Sequence, residues 1–325
     1  MTVRIVSYNI FAPVYADRPD HYFKCKPEFL KSDYRWNLIR SHLKKEIDDH
    51  ENTIICLQEV SLWFLPKLEL FFRQLNYIFF HNLFGQQRND YLSGIGIAIP
   101  ISMQLNSISI IKIGDHIRTM SQPREKNINS STLESDLNQP ISDSWEIAMS
   151  TPHVFICLQI IIDNKPLYIG TYHMPCFYKE PNVMAIHASV MKDLMFQLTN
   201  GENFILAGDF NIKPHDTCYQ ALIGKDCVDF NLPQSNTYQM TYQCNTKQIL
   251  KSAYLEKNGI EPKYTDFSHK KGSTRFCETL DYIFFNGDLT VEQVLELPDD
   301  PTCESYPDET HPSDHLMIAA TFRLL

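Results

Sequence analysis

The chain of 325 residues has 43% hydrophobic and 21% charged residues and a formal net charge of −10, the balance of an ordinary soluble globular protein. That charge argues against broad electrostatic capture of long nucleic acids, which needs a dense field of Lys and Arg to displace counterions. No apolar run approaches the length of a membrane span, and Met1-Thr2-Val3-Arg4-Ile5-Val6 is already strand-like, so the mature protein is expected to begin at Met1 without a signal peptide.

In chain order, Arg4–Ile10 reads as a strand, and Ser32 is placed to cap a helix with Leu38, Ile39, Leu43 and Ile47 on one face. A strand follows at Thr53–Gln58, and Leu62, Leu65, Leu68, Phe72 and Leu75 then repeat at helical spacing. Gly94–Ile99 and Ser107–Ile113 are further strands. Ser121–Ser144 is rich in Ser, Asn, Gln, Glu and Asp and is expected to be a flexible surface insertion. Beyond it lie strands at Val154–Ile162 and Leu167–His173, and a helix from about Val183 to Leu198 with Ile186, Val190, Leu194 and Leu198 inward. Strands at Phe204–Asp209, Leu280–Phe285 and Leu316–Phe322 complete the chain. With no repeat and no linker, one domain over residues 1–325 is predicted, an α/β sandwich of two facing sheets with helices outside.

The nine cysteines are odd in number, irregularly spaced and free of CxxC pairs. They predict a reducing intracellular, cytoplasmic compartment and no structural zinc. No membrane segment and no obligatory protein partner is expected.

Chemistry-bearing side chains recur at strand ends, beside apolar runs that would bury them if the strand continued. Asn9, Glu59, His173, and Asp209 with Asn211 each follow such a run, while Asp281 and Asp314-His315 precede one. A single polar residue at a strand end is usually a turn former or a cap. Several such positions in one chain can converge on one mouth.

In order, Tyr8-Asn9-Ile10, Leu57-Gln58-Glu59-Val60, Thr171-Tyr172-His173, Gly208-Asp209-Phe210-Asn211, Leu280-Asp281-Tyr282-Ile283 and Pro312-Ser313-Asp314-His315 resemble the motif set of the endonuclease/exonuclease/phosphatase superfamily. The segments Leu250-Lys251-Ser252-Ala253-Tyr254, Glu261-Pro262-Lys263-Tyr264-Thr265 and Cys277-Glu278-Thr279-Leu280-Asp281-Tyr282 are similar to its nocturnin, Angel and poly(A)-deadenylase branch. The resemblance implies a four-layer α/β sandwich of two mixed sheets, Mg²⁺ dependence with Mn²⁺ as a possible substitute, and hydrolysis of a phosphate ester in a nucleotide or short RNA.

The residue types suit those roles. Mg²⁺ takes hard oxygen ligands and keeps several waters, so Glu59, with Asn9 and Asp314 nearby, suffices. Asp209 is the expected acceptor for the attacking water, and Asn211 and His173 are expected phosphate donors. His315 would act as a charged donor with Asp281 holding its ring. Lys213 and Arg275 are candidate substrate contacts, with Lys270 and Lys271 nearby. Where the relatives carry Leu and Lys after the His, this chain has Met174-Pro175-Cys176, so a cation expected near the substrate is missing. Acidic residues Asp299, Asp300, Glu304, Asp308 and Glu309 precede Asp314. Both features predict a short substrate, by exonucleolytic or other diester cleavage or removal of a nucleotide 2′-phosphate. The rival expectation is a non-catalytic scaffold of the same fold.

Overall fold

The computed structural model describes residues 2–87, 91–124, 143–225 and 231–325. One six-stranded sheet takes β1 (Thr2–Asn9), β2 (Thr53–Ser61), β3 (Tyr77–Gln87) and β4 (Tyr91–Pro100), with β15 (Leu289–Val294) and β16 (Ile318–Leu324) from the far end of the chain, in the order β15-β16-β1-β2-β4-β3. The other six-stranded sheet takes β5 (Gln104–Lys112), β7 (Val154–Ile162), β8 (Lys165–His173), β9 (Phe204–Asp209), β11 (Lys251–Ser252) and β14 (Asp281–Asn286), in the order β11-β14-β9-β8-β7-β5. Two short ribbons pair β6 (Ser121–Pro123) with β10 (Tyr238–Met240), and β12 (Asp266–Ser268) with β13 (Phe276–Glu278). The helices are α1 (Pro13–Ala16), α2 (Pro27–Leu30), α3 (Ser32–Asp49), α4 (Leu65–Gln74), α5 (Ile113–Thr119), α6 (Ser144–Ser150), α7 (Pro181–Thr199), α8 (Thr217–Leu222) and α9 (Ala253–Asn258).

Each large sheet has one parallel pair, β1 with β2 and β8 with β9, and a parallel pair needs a crossover. Helices α3 and α7 supply these crossovers and come to lie on the outer faces. Neighbouring residues of a strand point to opposite faces, and here both faces are covered, so the strands read as nearly unbroken apolar runs. Ile5, Ile54, Ile97, Ile156, Ile169 and Ile205 fill the space between the sheets. Val6, Ile55 and Leu57 pack outward under Trp36, Leu43 and Phe72, and Phe155, Leu206 and Phe284 pack outward under Trp145, Met191 and Met195. The layers are therefore helix, sheet, sheet and helix, as expected.

Several local expectations need correction. Helix α3 is capped by Lys31 without a side-chain bond, and Ser32 is its first residue, its hydroxyl facing Asp17 at 3.5 Å. Its inner face is Arg35, Trp36, Ile39, Leu43 and Glu46, with Leu38 and Ile47 only partly buried. Arg35 and Glu46 are buried charges that apolar periodicity cannot see, and Glu46 is held by Arg4 at 2.9 Å. Leu62 lies in the turn before α4 and is exposed, while Phe71 takes a place on the buried face. Strands β3 and β15 escaped the sequence pattern: the first is broadly aromatic without alternation, and the second is short and irregular at Val291/Gln293. The last strand starts at Ile318 rather than Leu316. Of the polar stretch 121–144, residues 125–142 lie outside the described residues, but both ends are ordered into the fold: Ser121–Pro123 pairs with β10, and the Asp143 carboxylate accepts from Trp145 N and from Ser235 Oγ.

Helix α7 also braces the functional end of β8. His187, fully buried, contacts Thr151 Oγ1 at 3.3 Å and Tyr172 OH at 2.9 Å. Burial pushes its pKa down to about 3, so below the ordinary histidine pKa near 6.5 the unfolded chain binds a proton the folded one refuses, and stability falls with pH through that window. Acidification from pH 7 to 5 is expected to remove about 2 kcal/mol through this residue. His187→Gln should start less stable at pH 7 and lose less on acidification, as read by urea unfolding; parallel losses in both proteins would assign the pH dependence to other groups.

Candidate active site

The register of the second sheet assembles the centre. β9 lies between β8 and β14, pairing Asp209 with His173 on one side and with Asp281 on the other. Gly208 makes this alignment possible, because a Cβ there would sit 1.9 Å from Tyr172 O in the adjoining strand. Asp209, 1% exposed, accepts at Oδ2 from Asn9 Nδ2 at 3.0 Å, and at Oδ1 from the backbone N–H of Asn211 at 2.9 Å. His173 Nε2 stands 3.4 Å from Oδ2.

Asn9 arrives from the opposite sheet at the end of β1, which runs beside β2 and hence beside Glu59. A bulge between Gln58 and Val60 interrupts the pairing of β2 with β4, and Glu59 occupies it with φ 59°. Phe11 and Asn211 are likewise left-handed, with φ 57° and 52°. Non-glycine residues held in this region carry a conformational cost and cluster where side chains must be re-aimed. Glu59 Oε2 accepts from Ala12 N at 2.6 Å, and Oε1 lies 3.4 Å from Asn9 Nδ2. Arg35, stacked between the Phe11 and Phe64 rings, donates to the carbonyls of Ile10, Phe11 and Pro312. The Ser313 hydroxyl donates to Asn9 O at 2.7 Å and accepts from His315 N at 3.1 Å. These bonds tie the loop after β1 to the loop that carries Asp314 and His315.

His315 Nδ1 donates to Asp281 Oδ2 at 2.8 Å, and Thr265 Oγ1 donates to the same oxygen at 2.6 Å. Its Nε2 lies 3.3 Å from Asp266 Oδ2 and 3.7 Å from Asp209 Oδ2. Burial alone would lower the pKa of His315, but Asp281, then Asp266 and Asp209, raise it well above the usual value, so the ring is an imidazolium near neutral pH. Burial raises the pKa values of Asp209 and Asp266, with His315 opposing. His173 shifts the other way: burial lowers it against the pull of Glu59. It is the neutral ring of the pair.

Asp266 was not picked out by the sequence reading, although it immediately follows the Tyr264-Thr265 of a motif segment. Its strand is only three residues long, too short for alternation to show.

Asp209, Asp281 and His315 approach one another closely enough to hold a metal on spacing alone. Both His315 ring nitrogens face carboxylates, however, and an imidazolium has no lone pair to give. Glu59 and Asp314 fit a hard divalent cation better. Asp314 is 3% exposed, its Oδ1 has no hydrogen-bond partner among the described residues, and its Oδ2 meets Tyr22 OH at 3.3 Å and Lys270 Nζ at 3.7 Å. Asn9 Oδ1 already accepts from Phe11 N at 3.0 Å, leaving one lone pair for an ion or its water.

Glu59, His173, Asp209, Asn211, Asp314 and His315 all line one cavity of about 700 Å³, together with Asp266. Asn9 and Asp281 stand behind it, bonded to Asp209 and His315. Two sequence candidates lie elsewhere: Lys213 pairs with Glu278 at 3.1 Å, and Arg275 stacks over Phe267 at 4.6 Å, so neither lines the cavity. The cation expected and missing after His173 has counterparts from distant parts of the chain, since Arg18 and Lys270 both line the cavity.

Known proteins share the fold of this chain and part of its sequence. The chain is 28% identical over 340 residues to 2′,5′-phosphodiesterase 12 of Homo sapiens, covering 99% of this chain and 51% of the relative. It is 27% identical over 362 residues to Carbon catabolite repressor protein 4 homolog 4 of Arabidopsis thaliana, covering 99% and 77%. The chain thus spans about half the length of the 2′,5′-phosphodiesterase 12 relatives. Among solved structures, ANGEL2, a 2′,3′-cyclic phosphatase, in complex with adenosine-2′,3′-vanadate superposes with a TM-score of 0.69 at 19% identity, covering 100% of this chain and 96% of that one. The human Nocturnin catalytic domain with bound sulfate superposes with a TM-score of 0.66 at 18% identity, covering 100% and 94%. The model of the Endonuclease/Exonuclease/phosphatase family matches residues 7–315, and the chain therefore belongs to that family of phosphate-ester hydrolases.

Proposed function

We propose that the chain is a Mg²⁺-dependent phosphodiesterase acting on a nucleotide or short RNA, in the manner of a nocturnin- or deadenylase-like 3′-exoribonuclease. The observation that carries this reading is the setting of Asp209: a buried carboxylate oriented by Asn9 and by the Asn211 backbone, beside two imidazoles of opposite charge state, in a cavity open to substrate. The relatives named as 2′,5′-phosphodiesterases add a 2′,5′-linkage to the candidate diesters.

In this reading a water attacks phosphorus and the bond from phosphorus to a ribose oxygen breaks, the ribose oxygen leaving with the electron pair and taking a proton from solvent water to become a hydroxyl. Asp209 accepts the water's proton; its raised pKa makes it a stronger base than an ordinary carboxylate. His315 donates from Nε2 to a non-bridging oxygen while Asp281 fixes its ring, and His173 donates from the side of β8. Asn211 spends one amide hydrogen on Met174 O at 2.8 Å and keeps a second for the phosphate. A divalent cation held by Glu59 and Asp314, with Asn9 beside it, would neutralise charge on the phosphate oxygens. The expected location is an intracellular reducing compartment.

Glu59→Ala should lower activity by about 100-fold and raise the Mg²⁺ concentration required, because the site offers few protein ligands. An unchanged Mg²⁺ titration in the folded variant would put the ligand elsewhere. Asp209→Asn should lose turnover by about 10²–10⁴-fold, since the amide cannot take a proton and must set its NH2 against one of the two N–H donors that orient the carboxylate; substantial single-turnover cleavage would remove Asp209 from the role of base.

Recognition should extend over one to three phosphates, given the net charge of −10. Each neutralised phosphate adds about 0.7 to the slope of log affinity against log salt for single strands. Catalytic efficiency on a short oligoadenylate is expected to match that on long poly(A), with a shallow salt dependence. A strong preference for the long polymer that collapses with salt would show an extended basic track.

A further inference from the structure

Beside the catalytic cavity lies a second one of about 420 Å³, walled by the loop Asp17 to His21 and by Lys271. Arg18 and His21 line both cavities. The loop is pinned by its own backbone: Arg18 O accepts from His21 N at 2.8 Å and from Tyr22 N at 3.0 Å. Lys271 N donates to His21 O at 2.8 Å, fastening the loop to the turn between β12 and β13. That turn carries consecutive lysines to different places. Lys270 enters the catalytic cavity beside Asp314, while Lys271 lines the second cavity.

We propose that the second cavity is a phosphate subsite in which Arg18 and Lys271 bind a phosphate of the substrate one nucleotide away from the one being hydrolysed. Among the described residues neither side chain has a hydrogen bond or ion pair to a protein group, and both are exposed, so their charge is available to a ligand. Arg18 offers a planar fork suited to phosphate oxygens, and Lys271 a point charge on the other wall. His21 adds no positive charge near neutral pH, its pKa being lowered by burial and then by Arg18 and Lys270. Asp17 and Asp20 also line the cavity. Asp17 faces the Ser32 hydroxyl at 3.5 Å, and the two carboxylates offset much of the cationic charge. The site therefore selects a phosphate placed by the rest of the substrate rather than capturing polyanions, in keeping with the acidic chain. This assignment rests on the reading of the reaction centre as one that acts on nucleotide phosphates.

The test measures equilibrium binding of a diadenylate whose bridging 3′-oxygen is replaced by a methylene group, so that it is not hydrolysed, with and without a 5′-phosphate, by calorimetry with Mg²⁺, to the unsubstituted protein and to the protein carrying Arg18→Ala, Lys271→Ala or Arg18→Lys. The 5′-phosphorylated form is expected to bind about tenfold more tightly, the scale of a partly screened charge-assisted contact. The preference should fall towards unity in Arg18→Ala, fall in part in Lys271→Ala, and be partly kept in Arg18→Lys. Inorganic phosphate should reduce the preference only if a free anion can occupy the cavity, which would support the subsite and identify it as one for phosphate from either source. No preference in the parent protein, or a preference untouched by both alanine variants in folded proteins, overturns the proposal. Turnover by the unsubstituted protein is scored separately, so a binding preference without hydrolysis would reject the proposed function and leave the subsite standing.

Discussion

The hydrogen bond from Asn9 to Asp209 crosses from one sheet to the other at a place where both groups are almost completely buried, and the geometry of the site depends on it. Most of the interior between the sheets is apolar, and apolar packing is indifferent to small slips of one layer against the other. A buried amide and carboxylate are not, because a misplaced partner leaves each with an unmet desolvation cost. One layer deeper, Gln58 donates to Thr171 across the same gap and exchanges bonds with Ser7 beside it. These contacts fix the mutual register of the sheets at the end where Glu59, His173 and Asp209 emerge.

The same end concentrates negative charge. Glu59, Asp209, Asp266 and Asp314 line the cavity and Asp281 stands behind it, against the His315 imidazolium and Lys270. Asp266, Asp281 and Asp314 each keep a buried oxygen without a hydrogen-bond partner among the described residues. Such an arrangement is costly for a folded protein alone, and the unpartnered acceptor oxygens are ones that a cation or a hydrogen-bond donor would satisfy. Lys270 supplies part of the compensation in the protein itself, and its charge is kept by Asp314 and Asp266 against the effect of burial.

The sequence made the scaffold and the strand-end residues readable because both obey short rules. Unbroken apolar runs such as Phe204–Asp209 mark strands covered on both faces, and a polar group at the run's end must emerge into a mouth or find a partner. Where the rule is long-range, the sequence is silent. Arg35 sits on α3 among residues that look like one more exposed turn, and its role appears only when Ile10, Phe11 and Pro312 present their carbonyls to it. Asp266 belongs to a strand too brief to show alternation. Lys213 and Arg275 were drawn to the site by their nearness in sequence to Asn211 and Asp281, and the fold turns both towards other partners, Glu278 and the Phe267 ring.

The cations have a broader consequence. The carboxylates and imidazoles of the centre are held largely at strand ends, where register leaves little freedom, whereas Arg18, Lys270 and Lys271 come from the loops after β1 and between β12 and β13. Such loops tolerate change without disturbing the sheets. After His173 the chain has Met174-Pro175-Cys176 rather than a cation, and Lys270 and Arg18 bring positive charge to the cavity from parts of the chain distant in sequence. On this scaffold the loops that carry the cations are open to change, while the strand-end groups are fixed by the register of the sheets.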